Sequence, residues 1–266
     1  MAQFSHLLSE MASVAEEAYQ FAMTSLTSAQ RSADIGLGGD GTPTMFLDQF
    51  IEEPVLAVAE KFKVNVLSEE VGWIDRGSAY TVVLDPVDGT ANSAAGVPIS
   101  GFSAAIVEDD IIVESLVTWL GTNYSWRAHC DDAVVQRTTG RTKLAGAALS
   151  MLRPRPSTWN TWSVLAQTSE RVRILGSSVI EACLVADGAI DAFCDPGGDI
   201  HRIVDIAAVS LIVEKSGGVL KDAQGRPLSF SPDLSLRWSG IAAATPQLAD
   251  EIASIIFQHP AASSNS

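Results

Sequence analysis

The spacing of hydrophobic residues predicts a chain in which helices and strands alternate. Near the N-terminus, hydrophobic side chains recur every three or four positions from Phe4 to Ala22, which is typical of an amphipathic helix. Residues 80–84 form instead a short β-branched and aromatic run between turn residues, which indicates a buried strand. Helices are predicted at about residues 2–29, 47–62, 157–168, 177–187, 204–215 and 246–257. Strands are predicted at about residues 64–67, 80–84, 100–107, 111–118, 122–129, 145–150, 172–175, 189–194, 217–221 and 240–244.

This alternation predicts a mixed α/β fold with two lobes. The chain has 266 residues, of which 47% are hydrophobic, so it can bury a substantial core. Strands dominate up to about residue 150, where the proline-rich segment 153–157 interrupts the pattern. We expect an N-terminal lobe over residues 1–150, a C-terminal lobe over residues 151–266 and no flexible linker between them.

The segment after strand 80–84 carries the main candidate chemistry. Asp85 and Asp88 leave the strand into a turn that contains Pro86, and Gly89 and Thr90 follow with free backbone N–H groups. A hard divalent cation prefers such oxygens, and a phosphate prefers such amides. The alternative is ordinary turn chemistry, in which proline and glycine only set backbone dihedrals.

Two distant segments could add carboxylates to this motif. Glu69 and Glu70 follow the predicted strand 64–67, either as a third metal carboxylate or as a solvated loop. Asp205 stands at the start of the predicted helix 204–215, where it could be an N-cap, a metal ligand or both.

Together these segments resemble the inositol monophosphatase superfamily of Mg²⁺-dependent, lithium-sensitive sugar phosphatases. The matching pieces are residues 68–70, 85–92, 204–208 and 214–220. Residues 40–44 and Asp48 look most like archaeal members that hydrolyse both inositol phosphates and fructose 1,6-bisphosphate. The resemblance implies a layered αβαβα sandwich, in the α/β (α+β) class, and a phosphoric monoester hydrolase.

The resemblance also implies a set of metal ligands. Asp85 would bridge two metals, with Glu69 and the Val87 carbonyl completing one site, while Asp88 and Asp205 would hold the second. Two cations about 3.5–4 Å apart can neutralise a phosphate monoester and stabilise its leaving group. Mg²⁺, two or three per site, suits such carboxylates, and Mn²⁺ is a possible substitute. The four histidines are scattered, so no zinc cluster competes with this interpretation.

Catalytic roles follow from the same resemblance. Thr90, hydrogen-bonded to Asp48, would orient and deprotonate the attacking water, and Glu69 completes the implied catalytic set. The amides of Gly89 and Thr90 would hold the phosphate next to Asp88 at a helix start.

Four further residues are candidates for holding the rest of the substrate. Gly176 and Ser177 introduce the predicted helix 177–187 and match a substrate-facing pair in the family, and Asp195 matches a carboxylate that binds sugar hydroxyls. Arg202 could bind the second phosphate of a bisphosphate. The structural alternatives are a helix cap, a loop residue and a surface charge, respectively.

Charge limits the partners that we expect. The net charge is −15 and the sequence pI is about 4.5, which argues against binding nucleic acid or an anionic membrane. Cys130, Cys183 and Cys194 are odd in number and have apolar neighbours, so we expect buried free thiols in a reducing compartment. No secretory signal is apparent. We therefore expect a cytoplasmic protein, and the resemblance implies a homodimer.

The leading hypothesis is hydrolysis of inositol monophosphate, fructose 1,6-bisphosphate or both. A 3′-phosphoadenosine 5′-phosphate phosphatase ranks below it, because no sequence feature specifies an adenine pocket. A non-catalytic binding or regulatory protein on the same scaffold remains open, although Glu69, Asp85, Asp88, Thr90 and Asp205 are all retained.

Overall fold

The computed structural model describes residues 2–39 and 41–260, with side chains from residue 6 onward. Within these residues the helices are α1 (Ala2–Ser25), α2 (Ser28–Arg31), α3 (Phe46–Phe62), α4 (Thr90–Ala95), α5 (Trp159–Thr168), α6 (Ser178–Ala186), α7 (Ile203–Lys215) and α8 (Pro246–Gln258). The strands are β1 (Asp34–Leu37), β2 (Pro43–Met45), β3 (Asn65–Ser68), β4 (Gly72–Ile74), β5 (Tyr80–Asp88), β6 (Gly101–Glu108), β7 (Ile111–Trp119), β8 (Tyr124–His129), β9 (Ala148–Met151), β10 (Arg171–Arg173), β11 (Ala192–Cys194), β12 (Val219–Asp222) and β13 (Gly240–Ala243).

Six strands form one mixed sheet in the order β4-β3-β5-β6-β7-β8, in which only β3 and β5 are parallel neighbours. Five strands form a second sheet in the order β10-β9-β11-β13-β12. There β9 is parallel to both β10 and β11, whereas β13 is antiparallel to its neighbours. β1 and β2 form a separate antiparallel hairpin.

The helices and the two large sheets stack in five layers. α1 and α3 pack on the outer face of the six-stranded sheet, α6 and α7 lie between the sheets, and α5 and α8 cover the outer face of the second sheet. The alternation of side chains along β5 explains why both faces of the six-stranded sheet are covered. Val82 and Leu84 face α1 and α3, while Val83 faces the opposite side. A strand segment that is covered on both faces is hydrophobic at consecutive positions, as residues 82–84 are. The predicted αβαβα sandwich is confirmed.

Several predicted boundaries were wrong, each for a local reason. The helix predicted over 2–29 ends at Ser25, because Thr27 and Gln30 form a capping box that starts the short α2. The strand predicted over 80–84 continues to Asp88, because a bulge between Asp85 and Asp88 accommodates Pro86 and restores pairing with β6. The strand predicted over 189–194 is only three residues long.

Two short elements, the β1–β2 hairpin and β4, were not predicted, and of α4 only its start at Gly89 and Thr90 was expected. Each contributes too few residues to one face for a hydrophobic period to show. Asp40, which belongs to the segment that resembles archaeal phosphatases, lies outside the described residues.

The cysteines are free, as predicted; Cys183 and Cys194 are buried, but Cys130 is only partly so. Among the residues that the structure describes, none of the helices is long and apolar enough to cross a bilayer.

Candidate active site

Two carboxylates meet because β3 and β5 are parallel and in register. Ser68 pairs with Leu84, so the next residues, Glu69 and Asp85, leave the same edge of the sheet side by side. α7 begins between the sheets and brings Asp205 to this edge. Carboxylate oxygens of Glu69, Asp85 and Asp205 lie within 4.8 Å of one another.

Asp88 joins the site from the last position of β5 and contacts the second half of the chain. Its Oδ2 accepts hydrogen bonds from the Ser177 hydroxyl (2.7 Å) and from the backbone N–H of Val179 (2.8 Å). The start of α6 therefore holds Asp88 in place, across 89 residues of sequence.

Arg202 supplies the positive charge inside this cluster. Its Nη1 lies 2.5 Å from Glu69 Oε1, and its Nη2 lies 3.1 Å from Asp205 Oδ1. The backbone N–H of Arg202 also donates to Asp205 Oδ2 over 2.6 Å. Arg202 is thus the N-cap residue of α7, and Asp205, in the first turn, caps the helix from within. The N-cap alternative for Asp205 was wrong, because α7 begins at Ile203 and Asp205 is its third residue. Its carboxylate still accepts the Arg202 N–H and faces the cluster.

Burial dominates the titration of the cluster. Desolvation, reinforced by neighbouring carboxylates, raises the pKa of Asp48, Glu69 and Asp88 to about 7 in each case. The same desolvation, with charge from Glu69 and Asp88, raises the pKa of Asp85 well above its ordinary value. Such a group of buried carboxyls is electrostatically unfavourable unless cations join it.

Thr90 and Asp48 form a pair at the edge of the cluster. The Thr90 hydroxyl lies 2.7 Å from Asp48 Oδ1 and 2.9 Å from the Val87 carbonyl oxygen. Asp48 stands in the first turn of α3, where the backbone N–H of Met45 donates to its other oxygen over 3.3 Å. The hydroxyl therefore has an acceptor that can take a proton, beside the metal-ligand candidates.

Gly89 has to be a glycine at the start of α4. Its φ is +92°, and a Cβ there would lie 2.9 Å from the Ile99 carbonyl oxygen and 3.1 Å from that of Gly176. Asn92 ties the same elements together, because its amide donates to the carbonyls of Ile99 and Leu175 at 2.8 Å each. The phosphate motif and the Gly176–Ser177 loop are therefore in direct contact.

The predicted sugar-binding carboxylate is engaged elsewhere. Asp195 is only 1% exposed, and its two oxygens accept from the backbone N–H groups of Gly198 (2.8 Å) and Ile200 (3.0 Å). Asp195 shapes the loop that leads to Arg202. Gly176 lines a cavity that adjoins the one lined by Glu69, Asp88 and Asp205.

Glu181 is a buried acid that was not predicted from the sequence. This fully buried carboxylate accepts hydrogen bonds from the Ser150 hydroxyl and from three consecutive backbone N–H groups, those of Leu175, Gly176 and Ser177. Burial raises its pKa. The Ser-x-x-Glu spacing of Ser178 and Glu181, typical of a capping box, is the signal that could have found it.

A second buried acid, Glu52, was also missed. It accepts from the Ser68 hydroxyl (2.5 Å) and the backbone N–H of Val71 (3.2 Å), and so fixes the chain on both sides of Glu69. The β1–β2 hairpin closes the same region: the backbone N–H of Gly39 donates to the Glu70 carbonyl over 2.6 Å, and the Thr44 hydroxyl donates to the Glu70 carboxylate.

Two adjoining cavities open at the site. The larger, about 530 Å³, is lined by Glu69, Asp88 and Asp205, among others. The smaller, about 230 Å³, reaches Gly176. Both are lined by Arg155, Ser178, Gly198 and Ile200, so they are parts of one cleft.

The donor set fits a hard divalent cation, because the cluster offers carboxylate oxygens and the nearby Val87 carbonyl but no sulfur or imidazole. Within the described ranges a second group, His129, Cys130 and Asp131, also has close donor atoms. It consists of consecutive residues at the end of β8, and His129 Nδ1 already accepts from the Asp131 N–H. One cysteine and one histidine are fewer than a structural zinc site uses.

Comparison with known proteins gives a consistent result. The sequence profile described as "Inositol monophosphatase family" matches residues 6–261. A fructose-1,6-bisphosphatase/inositol-1-monophosphatase of Thermococcus kodakarensis is 30% identical over 235 residues, covering 85% of this chain and 88% of that protein. A bifunctional NADP phosphatase/NAD kinase of Methanococcus maripaludis is 30% identical over 237 residues, covering 78% of this chain but 42% of that protein. A solved inositol monophosphatase-fructose 1,6 bisphosphatase superposes with a TM-score of 0.82 at 24% identity, covering 94% of this chain and 98% of the other.

Proposed function

Since the chain belongs to the inositol monophosphatase family, we propose that it is a Mg²⁺-dependent phosphatase that hydrolyses small sugar or polyol phosphate monoesters. The observation that carries this proposal is the meeting of Glu69, Asp85 and Asp205 within 4.8 Å, beside the hydroxyl–carboxylate pair of Thr90 and Asp48. The printed names of the relatives support inositol monophosphate and fructose 1,6-bisphosphate as substrates.

Five residues would hold the cations: Glu69, Asp85, Asp88, Asp205 and the carbonyl of Val87. Bound Mg²⁺ would neutralise the phosphate, acidify water and stabilise the leaving oxygen. Mn²⁺ has similar ligand preferences and is the expected substitute. Sensitivity to Li⁺ is the corresponding expectation from family membership.

The remaining roles belong to the chain itself. Thr90 orients the attacking water, and Asp48 accepts the proton that passes through the Thr90 hydroxyl. The amides of Gly89 and Thr90 bind the phosphate oxygens. Ser177 fixes Asp88, and Gly176 lines the substrate cavity.

Two of the predicted substrate residues are assigned different roles here. Arg202 is held by Glu69 and Asp205, so we assign it the role of a counter-cation in the carboxylate cluster rather than a receptor for a second phosphate. Asp195 is assigned to the shape of the loop, because both its oxygens accept backbone hydrogen bonds. A cytoplasmic homodimer is the accompanying proposal, from family membership alone.

The test is phosphate release by the purified protein from inositol 1-phosphate and fructose 1,6-bisphosphate, with Mg²⁺ and with EDTA. We expect release only with Mg²⁺. Asp88→Asn should lower it more than roughly 100-fold, with an unchanged circular dichroism spectrum, because an amide oxygen can still accept from Ser177 and Val179. If the folded wild-type protein releases phosphate as fast in EDTA as in Mg²⁺, the proposal is overturned.

A further inference from the structure

A separate cavity lies at the opposite end of the five-stranded sheet from the active-site cleft. β9, β10 and β11 run parallel, and their starting positions border this rear cavity: Ala148 begins β9, Arg171 begins β10 and Asp191 precedes β11. Met151, at the other end of β9, borders the cleft instead. Because a strand rises about 3.3 Å per residue, roughly 10 Å of β9 separates the two cavities. The rear cavity has a volume of about 540 Å³, which is within the range for a whole small ligand.

The rear cavity is lined by three cationic side chains. Arg141 and Lys143 belong to the loop between β8 and β9, and Arg171 belongs to β10. Among the described residues, Asp191 is the only acid in this lining. The whole chain has 17 lysines and arginines against 32 acids, so the lining reverses the charge balance of the molecule. The rear cavity should therefore attract anions that the rest of the surface repels.

The one acid in the lining is bound to groups of the protein itself. Asp191 is only 6% exposed. Its Oδ1 accepts from the Thr139 hydroxyl (2.5 Å), and its Oδ2 accepts from the backbone N–H of Ala148 (2.7 Å). Arg141 Nε lies 3.2 Å from the same Oδ2. A buried carboxylate therefore holds the cationic loop to the sheet at two points, which are a hydroxyl and a guanidinium group.

Several donors of the lining have no partner or only a weak one. Arg141 Nη2 donates no hydrogen bond within the described residues. In the same part of the chain, the Lys143 ammonium and the Thr142 hydroxyl form neither an ion pair nor a hydrogen bond. Arg171 Nη2 lies 3.5 Å from Glu170 Oε1, and both side chains are more than half exposed, so this pair contributes little. The lining can therefore donate to several anionic oxygens at once.

The side chains of the rear cavity suit a compact anion that is rich in phosphate. Arginine binds phosphate in a bidentate manner, and an ammonium or a hydroxyl group adds single donors. The hydrophobic part of the lining consists of Ala148, Ala189 and Ile190. Within the described residues it has no aromatic ring on which a nucleobase would stack. Two linked phosphates can contact more of the three cations than one phosphate can.

We propose that the rear cavity is a second, non-catalytic binding site for an anion that carries at least two phosphate groups, held by Arg141, Lys143 and Arg171. The site has no cluster of carboxylates, so it binds its ligand without divalent cations and does not hydrolyse it. This inference does not depend on the proposed phosphatase function, because it concerns different residues at the other end of the sheet.

The experiment measures binding of pyrophosphate to the purified protein by isothermal titration calorimetry in EDTA. EDTA removes cations from the active-site cleft, where Glu69, Asp88 and Asp205 then repel anions. Binding that remains therefore reports on the rear cavity. We expect one pyrophosphate per chain, bound at least roughly tenfold more tightly than inorganic phosphate, because the second phosphate adds a charge-assisted hydrogen bond.

A third probe, fructose 1,6-bisphosphate, distinguishes two sources of this chemistry. Its phosphates are joined by a sugar, whereas those of pyrophosphate share an oxygen. Tighter binding of fructose 1,6-bisphosphate in EDTA would support a sugar bisphosphate as the ligand, and tighter binding of pyrophosphate would support a diphosphate. Either result supports the site if inorganic phosphate binds more weakly than both.

Two double variants with the same change of net charge test the location of the site. Lys143→Gln combined with Arg171→Gln should raise the Kd for pyrophosphate at least roughly tenfold, because two cations of the lining are lost. The matched control combines Arg153→Gln with Arg155→Gln, whose side chains are exposed and line the cleft instead. At about 0.15 M ionic strength this control should leave the Kd unchanged, because distant charges are screened.

Three outcomes would overturn the inference. The first is folded wild-type protein that binds no pyrophosphate in EDTA. The second is binding that the change at Lys143 and Arg171 leaves unaffected. The third is an equal loss in both double variants, which would indicate a response to net charge alone. None of these outcomes bears on the phosphatase function, which is tested by phosphate release in Mg²⁺.

Discussion

The Arg202 guanidinium reaches Glu69 from the other half of the chain, with Nη1 2.5 Å from Oε1. The two residues are 133 positions apart, and both side chains are largely buried. Arg202 also contacts Asp205, so one arginine compensates two of the carboxylates that are candidates for holding cations. This arrangement lets the cluster exist in a folded protein before any cation binds.

Removing this charge should destabilise the metal-free protein in particular. Breaking one partner of a buried ion pair costs about 3–5 kcal/mol, because the remaining charge is uncompensated. We expect Arg202→Gln to lower the free energy of unfolding in EDTA by about 3 kcal/mol, and by less in saturating Mg²⁺. Urea unfolding under both conditions measures the difference.

Arg226→Gln is the matched control for that measurement. The described structure pairs Arg226 with Asp222 and Asp199 and with none of the four carboxylates of the cluster. Its replacement should cost the same free energy with and without Mg²⁺. A loss for Arg202→Gln that is equally insensitive to Mg²⁺ would contradict the role of Arg202 as a counter-cation.

The Thr90 hydroxyl should be needed for turnover more than for binding. Thr90→Val keeps the shape of the side chain but removes the proton donor that lies 2.7 Å from Asp48. General acid–base catalysis contributes roughly 10²–10⁴-fold, so kcat should fall by at least roughly 10²-fold with little change in KM. Thr90→Ser, which retains the hydroxyl, should keep most of the activity, and an equal loss in both variants would argue against a proton-transfer role.

Glu181 should act on catalysis through the loop that it holds. In Glu181→Gln an amide nitrogen replaces one carboxylate oxygen and cannot accept the N–H groups of Gly176 and Ser177. The Gly176–Ser177 loop should therefore loosen, and Ser177 should lose its alignment with Asp88. We expect kcat/KM to fall by roughly 10–100-fold, as for other residues that orient metal ligands. A raised Mg²⁺ requirement should accompany this fall.

The Mg²⁺ concentration for half-maximal activity distinguishes a positioning role of Glu181 from a general loss of protein stability. Glu114→Gln is a suitable comparison, because Glu114 is likewise a buried acid but pairs with Arg127 on β7 and β8, remote from the loop. It should lower thermal stability without moving the Mg²⁺ concentration for half-maximal activity. If Glu181→Gln leaves that concentration unchanged too, its effect is structural only.

Stability of the metal-free protein should fall as the pH rises. The pKa values of Asp48, Glu69 and Asp88 are raised to about 7 in the folded state, whereas unfolded carboxyls titrate near 4. Between these values the folded state binds more protons than the unfolded state, so the free energy of unfolding decreases with rising pH. In EDTA we expect Tm at pH 7.5 to lie at least roughly 3 °C below that at pH 5.

Mg²⁺ provides the internal control for the pH dependence. Bound cations favour the ionised carboxylates, so in Mg²⁺ the decrease between pH 5 and pH 7.5 should shrink or reverse. The general repulsion of an acidic chain would persist in both conditions. An identical pH dependence with EDTA and with Mg²⁺ would show that the cluster does not set it.

Local patterns in the sequence predicted the alternation of helices and strands and the principal acidic residues, whereas the layered arrangement was implied by the family resemblance. Hydrophobic periods located the long helices, and the end of a buried strand placed Asp85 at a sheet edge. Parallel pairing of β3 and β5 then brings Glu69 beside it, which needs no detailed side-chain geometry.

The direction of individual side chains could not be predicted in the same way. Arg202 contacts Glu69 only because α7 packs between the sheets, and Asp195 turns to backbone donors three and five residues ahead. Asp88 remains in β5 because of a bulge opposite β6. These features depend on tertiary packing, which leaves no local pattern in a single sequence.

The contact between Asp88 and Ser177 has a consequence for biosynthesis. A ribosome releases the six-stranded sheet, with Glu69, Asp85 and Asp88, well before it adds the loop and helix that fix them. A nascent chain that stops before Arg202 therefore carries a cluster of acids with neither its counter-cation nor its last ligand, Asp205. Such an intermediate should bind cations weakly and turn over no substrate, so activity begins only when the second half of the chain has docked onto the first.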